Sequence, residues 1–233
     1  MLGGGFAKIG AHLTQLGQLL VPIHQILQYK YGVDDELARL IVARSKMSVL
    51  SKGSFLYYQD ERANVIAFPL DGILGFHSMS EEGTGVYFNV ITPGVILNDQ
   101  QMILGGPIPT EVKAATDCKI LLMSFDNARQ LMAKSTSFAQ LISHSLATKQ
   151  RLFNQLFLLR MEKSAPLKVA RVLQLLSELI YDGVVPLNIQ SLAAMMGISR
   201  NTVGREIKRM INQGELHKLP EGFALPPVET GVA

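Results

Sequence analysis

Leu187 to Asn212 reads LNIQSLAAMMGISRNTVGREIKRMIN, and this stretch decides the fold. Leu192, Ala193 and Met196 recur at helical spacing and predict one short helix. Gly197 then supplies a sharp turn, and Ser199 stands where a hydroxyl caps the next helix. On that second helix Val203, Ile207 and Met210 share one face at steps of four and three. Arg200, Asn201, Arg205, Lys208 and Arg209 occupy the opposite face. Residues 199–212 hold four basic groups against one acid, Glu206, in a chain whose whole formal charge is +3. A short helix, a glycine turn and a capped basic helix form the helix-turn-helix pattern, whose second helix enters the major groove. Beyond it, Leu216 to Leu225 predicts a hairpin turning at Glu221-Gly222, a wing. A merely solvated basic face is the plainer alternative; turn, cap and wing together argue against it.

Upstream, Pro166 can open a helix at its first turn, with Val169, Leu173, Leu176 and Ile180 as its apolar face and Asp182-Gly183 as its end. Between Ser135 and Pro166 there is neither glycine nor proline. Phe138, Ile142, Ser145, Lys149, Leu152, Leu156 and Leu159 alternate steps of four and three there, a heptad seam interrupted at Ser145 and Lys149. A helix of about 25 residues spans roughly 37 Å and projects beyond a small domain. The spacing therefore predicts a homodimer through residues 136–162, with Ile142, Leu152, Leu156 and Leu159 in the seam. The alternative is one long core helix lying on its own domain.

From Ser48 to Ser124 the texture is short runs rich in Val, Ile, Phe and Tyr: 55–58, 64–69, 73–77, 85–91, 95–97, 111–115 and 119–123. Turn signals separate them at Lys52-Gly53, Asp71-Gly72, Glu82-Gly83, Pro93-Gly94 and Gly105-Gly106-Pro107. Many short strands with glycine turns predict a small antiparallel barrel or roll. Residues 6–47 carry helical spacing at Leu13, Leu16, Leu20 and again at Leu37, Leu40, Ile41, broken at Gly32.

With 233 residues, 48% hydrophobic and 18% charged, the chain reads as one or two globular domains and excludes disorder and collagen-like structure. A single cysteine, Cys118, forms no internal disulfide and supplies no thiolate cluster; it is expected to be a buried small hydrophobe. Met1 to Gly5 carries no basic residue and does not open like a signal peptide, and the apolar run from Leu16 to Leu27 is too short to span a bilayer. A cytoplasmic protein without a membrane partner is expected. Nucleotide-binding loops, nucleophile elbows and paired metal-ligand spacings are missing from the sequence, so a non-enzyme is expected.

Gly197-Ile-Ser-Arg-Asn-Thr-Val-Gly-Arg205, then Ile207-Lys208 and Gly214-Glu-Leu216, resembles the signature of the Crp/Fnr superfamily of bacterial transcription regulators. Gly53, Gly72 and Gly94 fall where that family's β-roll turns carry glycine, and the resemblance covers residues 48–225. It implies an α+β chain. Residues 1–47 form a helical segment, and 48–135 a β-roll (a cupin-like double-stranded β-helix) that senses an effector. Residues 136–163 make a dimerisation helix, and 164–233 a winged helix-turn-helix. The implied partners are a palindromic double-stranded DNA operator, a second copy of the chain, RNA polymerase and a small-molecule effector.

Carried over position by position, Arg200 is similar to the family's guanine-reading arginine and Arg205 to its second base reader. Ser199, Thr202, Gln190 and Asn188 are implied phosphate contacts, and Lys208 and Arg209 backbone contacts. Asn201 stands where many members have a cytosine-reading glutamate, which points to a related rather than identical palindrome.

Cyclic-nucleotide-binding relatives grip the ribose with a Gly-Glu pair and the phosphate with an Arg-Ser pair. The matching places here are Asn98-Asp99 and Pro109-Thr110. The missing arginine argues against cyclic AMP. Lys149 and Asn154 fall where the long helix lends polar contacts to the effector, so an anion paired with Lys149 is one reading and a lysine beside the seam the other. The chain lacks the cysteine set of iron–sulfur relatives, and no histidine occurs at Asn98–Gln101, where the haem-dependent member has one. The cofactor stays open. A haem- or other cofactor-dependent gas or redox sensor, and a cyclic-nucleotide regulator with an atypical pocket, remain the alternatives.

Overall fold

The computed structural model describes residues 21–79, 83, 85–180 and 183–226. The expected helical spacing at Leu13, Leu16 and Leu20, and the turn residues Glu82 and Asp182, lie outside them.

Two short helices open the described chain, α1 (Ile23–Tyr31) and α2 (Asp35–Ala43). Asp34 caps α2 by accepting from Leu37 N at 2.7 Å, and Asp35 and Glu36 place negative charge against the helix N-terminus. Seven strands follow: β1 (Ser45–Leu50), β2 (Phe55–Tyr57), β3 (Val65–Asp71), β4 (Leu74–Met79), β5 (Gly85–Ile91), β6 (Glu111–Ala114) and β7 (Cys118–Ser124). They form two antiparallel sheets in the orders β1-β7-β3 and β2-β6-β4-β5. Between them Ala67, Leu74, Ile91, Ile108, Val112 and Ile120 fill the interior of the roll. At the β3–β4 turn Gly72 has φ +80, and a Cβ there would meet Asp117 O at 2.0 Å, so only glycine fits. Pro69 is tolerated because β3 is an edge strand; its carbonyl takes the Tyr31 hydroxyl at 2.8 Å.

Three parts of this region differ from the sequence reading. The first strand, β1, begins at Ser45 inside the stretch read as helical, because only Arg44 separates it from α2 and no glycine or proline marks the change. Residues 95–97 make a single bridge, Ala67 to Leu97, rather than a strand. Just ahead of the turn signal Gly105-Gly106-Pro107 stands a helix, α3 (Asp99–Leu104), where the sequence reading places no element.

Helix α4 (Phe125–Lys134) leads into α5 (Thr136–Met161), 26 residues capped by Ser135. The N-terminal half of α5 buries Phe138, Leu141 and Ile142 against Leu27 and Ile41 of α1 and α2 and Ile66 and Phe68 of β3. Each such apolar side chain contributes about 1.5–3 kcal/mol of burial. The remainder comprises α6 (Ala165–Leu179), β8 (Val184–Val185), α7 (Ile189–Met196), α8 (Arg200–Asn212), β9 (His217–Leu219) and β10 (Gly222–Ala224), with the strands ordered β8-β10-β9. The hairpin turns at Pro220-Glu221, one residue earlier than expected, since Gly222 already pairs with Leu219. Val172 and Leu176 of α6, Leu192 and Met196 of α7, and Val203 and Ile207 of α8 share one core, and Ile73, Val90 and Ala115 of the roll belong to it too. Among the described residues no helix is long and apolar enough to cross a membrane.

Candidate nucleic-acid interface and effector cavity

Asn188 caps α7 by accepting from Ser191 N at 2.8 Å. Gly197 ends it in the left-handed region, φ +65, a conformation that costs other residues strain. Two residues later the Ser199 hydroxyl accepts from Thr202 N at 3.2 Å and starts α8. Ser199 and Thr202 also share a hydroxyl contact of 2.9 Å, so both belong to the cap. Val203, Ile207 and Met210 are buried, which turns the other face of α8 outward. Arg200, Asn201, Arg205 and Lys208 stand exposed along it, and Gln190 is half-buried on α7. Arg209 is placed differently. Its Nε donates to the buried Glu206 at 3.1 Å, and its Nη1 donates to Gln213 and to Glu215 at 3.4 Å. Arg205 lies 3.6 Å from the same Glu206 yet keeps 74% of its side chain exposed. The exposed N-terminal turn of α8, with free amide donors and Arg200, suits an anion such as a phosphate.

The sequence reading missed how α7 is held. Tyr87 N of β5 donates to Ser191 Oγ at 3.1 Å. Arg160, near the end of α5, donates to Met195 O and Ala194 O, both at 2.9 Å. Lys168, only 5% exposed, donates to Arg160 O at 2.9 Å and Met196 O at 3.4 Å, so one ammonium serves the C-terminal carbonyls of two helices. The signal was present: Lys168, Val172 and Leu176 fall on one stripe of α6, and a cation in an apolar stripe needs a buried acceptor.

The four seam residues are not a free surface. Ile142, Leu152 and Leu156 are 2%, 7% and 7% exposed within a single chain, and Leu159 packs on the α6–α8 core. Ile142 packs into the core beneath β3 and Leu159 against that of the C-terminal helices, so within one chain this stripe is covered. The exposed apolar residues of α5 lie beside it: Phe153, Phe157, Leu158 and Met161, the two rings stacked at 6.5 Å.

The seam's two polar interruptions have a cause. Asp99, fully buried at the start of α3, accepts from Ser145 Oγ at 2.8 Å and from Lys149 Nζ. Lys149 also donates to Ile96 O at 2.9 Å, and Ser145 Oγ accepts from Ile96 N at 2.9 Å. Burial pulls the Lys149 ammonium below the usual lysine range and the Asp99 charge pulls it back. An anion paired with Lys149 is thus replaced by a carboxylate of the chain itself. Asn98, with φ 63, donates to Val65 O at 3.1 Å beside this network. Thr110 is not part of it; its hydroxyl donates to His77 O at 2.8 Å. Asn154 faces outward on α5 and accepts from Gln150. Between β5, α3 and α5 lies a cavity of about 690 Å³, walled by Asn89, Val90, Gln100, Leu146, Lys149 and Leu179 among others.

Residues 47–135 match the family model of the cyclic nucleotide-binding domain. The chain is similar in structure to the c-di-GMP responsive global regulator CLP of Xanthomonas campestris, with a TM-score of 0.67 and 16% identity over 82% of this chain and 99% of that one. A CRP-family transcriptional regulator of Thermus thermophilus matches with a TM-score of 0.63 at 13% identity, over 76% and 91% of the two chains. A CRP/FNR-family regulator of the same organism matches at 0.59 and 21%, over 78% and 93%. No curated protein sequence matches the chain. The fold is that of Crp/Fnr-type regulators, built on a β-roll of the cyclic nucleotide-binding kind.

Proposed function

We propose that the chain is a dimeric, sequence-specific DNA-binding transcription regulator of the Crp/Fnr type, controlled by a small molecule in its β-roll. In this reading residues 164–233 are a winged helix-turn-helix: α7 and α8 are the two helices and β9–β10 the wing. The observation that carries it is the exposed row Arg200, Asn201, Arg205 and Lys208 on a capped helix whose other face is buried. Side chains near the N-terminus of such a helix reach base edges, so Arg200 and Arg205 read bases through the guanidinium fork and Asn201 adds an amide contact. Lys208, one turn further on, meets the phosphate backbone, with Ser199, Thr202, Asn188 and Gln190 as its neighbours there. Arg209 serves α8 itself through Glu206 and Glu215.

A palindromic operator needs two such units. We assign the dimer contact to Phe153, Phe157, Leu158 and Met161, because an apolar row on a 26-residue helix is costly to leave in water. Cyclic AMP is not the effector in this reading: Asp99 is turned into the fold to hold α5, and Pro109 offers a phosphate neither charge nor amide donor. Electrophoretic mobility shift with a selected operator tests the proposal. Wild-type protein should bind it far more tightly than random DNA, and Arg200→Ala should reduce that preference by about 1–3 kcal/mol. Equal binding of both DNAs by wild type would overturn the reading.

A further inference from the structure

The cavity between β5, α3 and α5 is bounded by Val90, Val95, Leu104, Leu146 and Leu152. Asn89, Gln100, Gln150, Thr92 and Thr148 put amides and hydroxyls at its walls. Among the described residues lining it, Lys149 is the one that carries charge, and its ammonium is bound to the fully buried Asp99 and to Ile96 O. The pair is neutral as a unit. An anionic ligand entering here would lose its hydration and find no uncompensated cation, a desolvation penalty of several kcal/mol. A neutral ligand meets apolar walls and five uncharged hydrogen-bonding side chains, in a volume of the usual size for small-molecule sites.

We propose that this cavity takes an uncharged, predominantly apolar small molecule with hydrogen-bonding groups at its edges, and not an anion. The assignment rests on the reading of the chain as an effector-controlled regulator and names the chemical class of that effector. Its position explains how occupancy reaches the recognition unit. Val90 belongs both to the cavity wall and to the core shared with α7 and α8. Leu179, the last residue of α6, lines the cavity as well, and Tyr87 on the same strand holds Ser191 of α7. A molecule seated here touches β5, which holds α7, and the end of α6.

The test uses the full chain and the neutral solvatochromic dye Nile red, with cyclic AMP as an anionic competitor. Thr148→Trp on α5 and Gln100→Trp on α3 add bulk to the cavity lining at positions that are not buried, and circular dichroism and melting temperature check the fold. Wild-type protein should bind the dye saturably with a blue-shifted emission. Each tryptophan variant should weaken binding by about tenfold or more, equivalent to about 1.4 kcal/mol. Cyclic AMP at millimolar concentration should displace none of it. Unchanged dye affinity in folded tryptophan variants would overturn the proposal, as would displacement of the dye by cyclic AMP. Dye binding confined to monomeric protein would also overturn it, by showing that a second copy fills the space. No arm contains DNA, so its failure leaves the operator-binding reading standing, and failure of operator binding leaves the cavity assignment standing.

Discussion

Single side chains on α8 divide by what surrounds them. Arg200 is exposed at the first turn, so Arg200→Ala should cost about 1–3 kcal/mol of operator affinity and flatten preference at one base pair, read by competition binding. Lys208→Ala should weaken all sequences alike and lower the salt slope by about one. Arg209→Ala should act mainly on stability, because its guanidinium is engaged by Glu206, Gln213 and Glu215. Inside the roll, Asp99→Ala strands the Lys149 ammonium and should cost about 3–5 kcal/mol in urea unfolding, most of it recovered by adding Lys149→Met. Cys118 is buried, and desolvation pushes its thiol up to about 11. The raised folded-state value favours the neutral thiol, so this contribution is present below the unfolded thiol's pKa and lost as pH rises through about 11. A thiol reagent at neutral pH should therefore label Cys118 only as fast as the chain unfolds.

Elements were legible where their own residues enforced them and illegible where a neighbour did. The turn at Gly197, the caps at Asn188 and Ser199 and the two faces of α8 follow from local chemistry, and the sequence carries all of it. For α5, helix length and apolar stripe were also legible, but what the stripe packs against was not. Ser145 and Lys149 read as flaws in a dimer seam, yet they mark the contact with Asp99, a residue 46 and 50 positions away in the chain. Strand β1 and helix α3 escape the sequence because no breaker residue separates β1 from α2, and because α3 is only six residues long, too short to show a helical period. The corrected face of α5 makes its own prediction. Phe153→Glu with Phe157→Glu should yield folded monomers in sedimentation. Leu152→Ala should instead destabilise each chain by about 2–5 kcal/mol, since its side chain is spent inside the protomer. Dimers surviving the double glutamate variant would move the interface elsewhere.

At the scale of the whole molecule, the roll and the C-terminal helices are packed as neighbours rather than strung on a linker. Val90 and Ala115 of the roll enter the core of α6, α7 and α8, Ser191 is held by β5, and Arg160 and Lys168 tie α5 to the end of α7. In the proposed dimer, two copies of α8 related by a two-fold axis enter successive major grooves, which fixes half-sites about one helical turn, or 34–36 Å, apart. Binding-site selection from random duplex DNA with the purified chain, sequenced for wild type, Arg200→Ala and Asn201→Glu, tests this most directly. The expected result is an imperfect palindrome with that spacing, one position of which loses preference in Arg200→Ala and another of which shifts towards cytosine in Asn201→Glu. An asymmetric motif, or a palindrome indifferent to both substitutions, would contradict it.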